Sequence, residues 1–112
     1  MASAYDATKD KFAPVLTDPS APARNFVPVS PSDTLDLTDP SQPAGQQCGF
    51  YAKSLYIGVA GDVTVIAAGD KGSPGTPRLF KAHPVGYLPG QVRRVMFTGT
   101  TASQILALVD DD

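Results

Sequence analysis

Hydrophobic and polar residues follow different patterns in the two halves of this 112-residue chain. In the second half, short runs of β-branched and aromatic residues are separated by turn-forming residues, and residues 62–65 alternate between polar and apolar positions. Short strands spaced by turns are typical of a small sandwich or barrel. We therefore predict an all-β fold, a small antiparallel β-sandwich or barrel of jelly-roll-like kind. The predicted strands are residues 50–58, 62–67, 78–83, 85–88, 91–98 and 104–109.

Proline dominates the first half. Seven of the eleven prolines precede Cys48, and each fixes φ and removes a backbone donor, so we expect neither a helix nor a central strand there. A short helix over residues 3–12, with Ser3 as its cap, is the one exception. The chain then divides into an extended arm with polyproline II character, residues 1–47, and a β-domain, residues 48–112, packed from about Phe50 to Val109.

The arm also carries spaced apolar residues. A proline-stiffened strip of this kind loses little entropy when it is ordered on the surface of another protein. We therefore predict that the arm binds a partner subunit, with a linker or a strip wrapped on its own domain as the alternative. The predicted binding residues are Arg24, Phe26, Val27, Val29, Leu35 and Leu37.

Two predicted strands depart from simple alternation. In residues 104–109, Ile105 faces one side while Leu106 and Leu108 face the other, which predicts burial against a neighbouring subunit. Adjacent Arg93 and Arg94 point to opposite faces unless a bulge intervenes. One guanidinium then lies near an interior or an interface, although two solvated surface charges fit the sequence equally well. We predict all five residues to lie at a subunit interface.

Composition favours association. A core of about 60 residues is near the lower limit for independent folding. One cysteine and one histidine cannot form an internal disulfide or a Cys/His zinc site. Burial against other chains remains, so we predict a homo-oligomer, a ring or a trimer. The net charge of −2 supports neither a nucleic acid nor a membrane partner. The N-terminus lacks the pattern of a signal peptide, so we expect a soluble protein that is synthesised in the cytoplasm.

No enzyme motif is present in the sequence. The glycines near Gly58 lack the Gly-Lys-Ser/Thr ending of a phosphate loop, and neither His83 nor Cys48 has a neighbour in sequence that suits catalysis. The aspartates at 33, 36 and 39 and at 110–112 lack the spacing of a calcium loop. We predict no enzymatic activity, no metal and no cofactor.

Residues 22–37, with the sequence PARNFVPVSPSDTLDL, resemble the arm of the small head spike base proteins of tailed phages and alphaproteobacterial gene transfer agents. Further similar segments follow in order as far as Val109: AKSLYIGVAGDV, LP before VRRV, and TGTTA before ILAL. The resemblance implies a β-rich ring on the capsid, beside the major capsid protein and sometimes a head fibre protein. The segments of residues 46–51 and 69–77 are longer than expected for the family, which leaves two roles open: a spike base that carries a fibre, or a subunit that serves only as decoration or cement.

The sequence therefore predicts a structural virion protein on the outer surface of a phage head, which binds the major capsid protein and self-associates. The alternative is a glycan- or receptor-binding domain of a head or fibre, in which Tyr56 and Tyr87 stack on sugars. A hydrolase lacks any nucleophile–base pair.

Overall fold

Strands account for nearly all the regular structure in the computed structural model, which describes residues 3–9, 23–73 and 75–109. The predicted all-β class is confirmed. Residues 85–88 and 91–98, predicted as separate strands, belong largely to one strand, β5, and the helix predicted near the N-terminus is represented by a single 3-10 turn, Ala7–Lys9. The strands are β1 (Asn25–Pro28), β2 (Ala52–Val59), β3 (Gly61–Ala67), β4 (Arg78–His83), β5 (Gly86–Val95) and β6 (Ser103–Val109). No helix in the described part of the chain is long and apolar enough to span a membrane.

The strands form one antiparallel sheet in the order β1-β6-β2-β5-β3-β4. Strand β5 serves both halves of this sheet, because its residues 86–89 pair with β2 and its residues 92–95 pair with β3. Val92 pairs with both Ala52 and Ala67, and the register shifts on either side of it. Such bulges bend a strand and increase its twist. The result is a small sandwich-like domain with side chains of both halves inside.

The core is built from alternating strand residues. On β6, Ile105, Ala107 and Val109 are buried, so Ile105 belongs to the core of the chain and not to the subunit interface predicted from the sequence. They share one apolar cluster with residues from the other half of the sheet, among them Val63 and Val65 on β3. Such apolar burial is the main stabilising term in folding. The remaining members of the cluster are Val27, Leu37, Cys48, Ala52, Leu55, Ile57, Leu88, Val92, Val95 and Ala102.

Residues 23–48 pack against this domain. β1 pairs with β6, and the Leu37 amide donates to the Arg93 carbonyl oxygen at 2.8 Å. The extended arm predicted over residues 1–47 therefore contains an edge strand, Asn25–Pro28, at a position in a sheet that tolerates a proline. The packed domain therefore begins well before Phe50, and a boundary at residue 47 separates residues that share one core. Residues 10–22 of the predicted arm lie outside the described residues.

Candidate protein-binding surface

One side of the sheet carries an apolar surface four strands wide. Leu106 and Leu108 alternate with the buried residues of β6 and so point away from the core. Because directly paired residues of antiparallel strands share a face, the register extends this surface in both directions. One row is Pro28, Leu106, Tyr56 and Tyr87, and the next is Phe26, Leu108, Ser54 and Pro89. We call these eight residues the outer face.

The outer face is accessible. Phe26 is 60% exposed and Tyr87 is 64% exposed, while Leu106 and Leu108 are half-buried between their neighbours. The rings of Tyr56 and Tyr87 meet edge to face, with their centroids 5.3 Å apart. A contiguous apolar patch on a small soluble protein marks an interaction site more often than a solvated surface. The outer face is thus the best-formed docking surface of the described chain.

A close strand contact bounds the outer face at one end. A Cβ atom added to Gly58 would lie 2.6 Å from the Gln104 carbonyl oxygen, so only glycine fits opposite that residue. Gln104 itself has a φ of 55°, in the left-handed region that is rarely populated by residues other than glycine. Beyond the row of Leu106 and Tyr56, the surface therefore ends in an exposed polar residue.

A bulge brings the two adjacent arginines to the same carboxylate. Ile66 pairs with Arg94, whereas the next residue of β3, Ala67, pairs with Val92, so Arg93 is the additional residue. Arg93 Nη1 lies 2.9 Å from Asp36 Oδ2, and Arg94 Nε lies 2.7 Å from Asp36 Oδ1. Neither arginine is a solvated surface charge, because they are 8% and 7% exposed respectively.

The same arginines bind backbone carbonyl oxygens of two loops. Arg93 donates to the carbonyls of Asp70 and Gly72, and Arg94 donates to the carbonyl of Asp33. Guanidinium groups suit this role because they present several donors in a fixed plane. The network therefore fastens residues 33–36 and the loop before β4 to strand β5.

Hydrogen bonds also stabilise two aspartates at the edges of this network. The Thr98 hydroxyl and amide donate to the two carboxylate oxygens of Asp33, which lowers the pKa of that carboxyl group. The amides of Thr76 and Gly72 lower the pKa of Asp70 in the same way. Both carboxylates hold loop backbone in place in their charged form.

The predicted binding residues separate into two groups. Phe26 from the predicted arm and Leu106 and Leu108 from the predicted interface meet on the outer face, together with Tyr56 and Tyr87 of the glycan-binding alternative. The other predicted residues lie within the domain. Val27, Leu37 and Ile105 are buried in the core, Arg93 and Arg94 bind Asp36, and Arg24, Val29 and Leu35 are half-buried.

Buried side chains cannot contact another protein in this conformation. The binding surface therefore contains fewer of the predicted residues than the sequence indicates. The surface also includes two residues that were not predicted, Pro28 and Pro89. The sequence did not indicate them because proline argues against strand structure. Among the described residues, no group of three or more His, Cys, Asp or Glu side chains could hold a metal ion.

No protein-family model matches the sequence, and no curated protein matches it. Among solved structures, a chain in the capsid of a native gene transfer agent (GTA) particle, computed with C5 symmetry, is similar. The two share a TM-score of 0.64 at 21% sequence identity, over 88% of this chain and 96% of that chain. At that identity the likeness is one of fold. The protein therefore has the fold of a chain found in a GTA capsid.

Proposed function

We propose that this protein is a structural subunit on the outer surface of the head of a phage or phage-like particle. In this role it is a spike base or a decoration (cement) subunit that binds the major capsid protein and self-associates. The observation that carries the proposal is the shared fold with a chain of a GTA capsid, which extends over nearly the whole of that chain. The ordered sequence motifs from residue 22 to Val109 point to the same class.

The outer face is the proposed site of self-association. It joins exposed apolar side chains of four strands into one surface, and covering it would remove Phe26, Tyr87 and the two leucines of β6 from water. Interfaces between permanent partners are enriched in such apolar and aromatic residues. A small domain gains the stability it lacks as a monomer in this way.

The proposed capsid-binding element is the N-terminal arm, reduced to the residues before Ala23. The later part of the arm is already used within the chain, because Val27 and Leu37 are core residues and Asp36 holds two arginines. The sequence before Ala23 still contains three spaced apolar residues that could act as anchors, Phe12, Val15 and Leu16. Anchors that must release together slow the dissociation of a subunit.

Co-sedimentation with particles that lack this protein tests the proposal. The full chain should sediment with the particles and remain in the supernatant without them. A chain that starts at Ala23 should fold and self-associate, since it keeps all six strands, yet fail to bind particles. If the full chain does not bind, the proposed function is wrong. If the shortened chain binds equally well, the capsid contact lies on the sheet and not in the arm.

The glycan-binding alternative is supported by one observation, the edge-to-face pair of Tyr56 and the exposed Tyr87. Aromatic faces of this kind can stack on sugar rings. Tyr87→Ala separates the two functions when it is assayed on a glycan array and in co-sedimentation. A glycan signal that this variant abolishes, with particle binding intact or never present, would favour the alternative.

A further inference from the structure

Strand β4 is an open edge of the sheet. The strand order ends at β4, and no strand in the described part of the chain pairs with its outer side. Five of its six residues are exposed. The other edge, β1, is protected, because Pro28 has no N–H group and the Phe26 amide donates to the side chain of Asn25 at 3.0 Å. β4 contains no proline, so every residue has a backbone N–H group, of which the one on Ala82 is already bonded to Asp62 Oδ1 at 2.8 Å.

Apolar side chains are exposed on both faces of this edge. Arg78 pairs with Val65 and Phe80 pairs with Val63, so these two side chains lie on the core side of β4. Leu79 pairs with Thr64 and lies on the opposite side. Phe80 is 41% exposed and Leu79 is 55% exposed, because the chain itself covers neither face completely. A strand added at this edge would cover both residues.

The edge is also basic in a chain of net charge −2. Residues 68–83, which comprise β4 and the loop before it, hold three of the nine Lys and Arg residues and one of the eleven Asp residues, Asp70, whose carboxylate accepts hydrogen bonds from the Gly72 and Thr76 amides. Lys81 Nζ lies 3.8 Å from Asp62 Oδ2, but its side chain is 79% exposed. A pair so exposed contributes little, so Lys81 can still attract a second carboxylate.

We propose that β4 binds an acidic, extended segment of another protein, which adds to the sheet as a seventh strand. Main-chain hydrogen bonds supply affinity in this mode of recognition, and side chains supply specificity. The partner carries acidic residues opposite Arg78 and Lys81 and apolar residues opposite Leu79 and Phe80. The resulting pattern, acidic-apolar-apolar-acidic, reads the same in both directions and so holds for parallel and antiparallel pairing.

Two other roles for strand β4 fit its residues less well than binding of an acidic peptide. One is an edge that only prevents pairing, and the other is a nucleic acid site. Lysine and arginine on an edge strand often oppose pairing with other strands and have no further role. A protective role of this kind does not account for the exposed apolar side chains of Leu79 and Phe80 beside them. Nucleic acid would use the charges, yet three cations on an acidic protein give little attraction to a phosphate backbone. The combination of an open backbone, two apolar residues and flanking cations favours an acidic peptide.

Titration of the isotope-labelled full chain with a synthetic peptide tests this inference and needs no particle. The probe is acetylated and amidated Thr-Asp-Val-Val-Asp-Thr, and the control peptide has lysine in place of both aspartates. Amide shifts should be confined to β4 and its flanks, and amide exchange should slow at alternate residues of the strand. The acidic peptide should bind roughly tenfold more tightly than the control, with a difference that shrinks as salt is added.

Charge reversal provides the matched variants. Arg78→Glu combined with Lys81→Glu should reverse the preference between the two peptides, whereas Lys9→Glu, which changes an exposed cation outside the sheet, should leave it unaltered. Circular dichroism verifies that each variant is folded. Equal binding of both peptides, shifts outside β4, pairing of β4 with a second copy of the chain, or tighter binding of single-stranded oligonucleotide at these residues would each overturn the inference.

Discussion

At the scale of single residues, Asp36 is the carboxylate that compensates the charge of two buried arginines. One carboxylate binds two arginines that are themselves almost fully buried, and its neighbours in sequence tie the loop of residues 33–36 to β5. Removing one partner of a buried ion pair is costly because the other charge stays buried without compensation.

We expect Asp36→Asn to lower the free energy of unfolding by about 3 kcal/mol, because two desolvated guanidinium groups lose their shared negative charge. Urea denaturation measures the change. Asp39→Asn is the matched control, since the Asp39 carboxylate accepts one loop hydrogen bond from the Ser41 amide, and it should cost no more than about 1 kcal/mol. An Asp36 variant as stable as this control would show that the network contributes little.

Acid should destabilise the fold partly through Asp33. Its folded-state pKa is lowered by the two hydrogen bonds from Thr98, so the charged carboxylate is favoured in the folded protein. The corresponding stability is present above the unfolded pKa of about 3.9 and is lost as the pH falls through the lower folded value. Thermal unfolding at pH 6 and pH 3 should therefore show a smaller decrease in Asp33→Asn than in the wild type.

Thr98→Val tests the cause of that effect, because it removes the hydroxyl donor but keeps the carboxylate. It should reduce the loss of stability in acid in the same direction as Asp33→Asn. An unchanged acid response in both variants would place the effect at other carboxylates, such as Asp70.

At the scale of elements, β1 and the segment after it decide where the domain begins. Val27 and Leu37 lie in the core, and the Cys48 amide donates to the Leu37 carbonyl. Proline made this segment look like a separate arm, although an edge strand and an irregular loop can both accommodate it.

Two truncations should therefore behave differently. A chain that starts at Ala23 keeps β1 and Asp36 and should unfold cooperatively, close to the full chain. A chain that starts at Gln46 loses both and should show no cooperative transition, because Arg93 and Arg94 lose their carboxylate and the core is opened along β6. Guanidinium unfolding followed by circular dichroism compares them. Cooperative unfolding of the shorter chain would mean that residues 46–109 form the domain alone.

The sequence carried enough information for most of the strands of the second half, but not for β1 or for the arginine network. Alternation on β6 identified Leu106 and Leu108 as outward-facing, because that signal is local. The bulge at Arg93 depends on pairing with β3, and Asp36 lies 57 residues away along the chain. No local pattern relates those positions, so a guanidinium near an interior or interface and two solvated surface charges fitted the sequence equally well. The exposure of Leu79 and Phe80 could not be predicted from the sequence either, because it depends on which strand forms the edge of the sheet.

At the scale of the whole molecule, the outer face should make the protein an oligomer. Light scattering at micromolar concentration should give a mass well above the 11.7 kDa of one chain. Leu106→Asp should shift the protein towards the monomer, because a carboxylate at an apolar contact loses its hydration without a partner. Phe97→Asp, at a residue that is 71% exposed and not part of the outer face, should leave the mass unchanged. A wild-type monomer would remove the outer face as the self-association site.

The position of β6 has a consequence for how the chain folds during synthesis. This strand is the last in sequence, yet it lies between β1 and β2 and forms the neighbour of each. Asn25 pairs with Val109, so β1 has no place in the sheet until the end of β6 has left the ribosome. Non-local pairing of this kind folds slowly. Completion of the sheet therefore waits until β6 has been synthesised, and a nascent chain stalled before Ser103 leaves β1 and β2 without the strand that joins them, with their apolar residues open to chaperones.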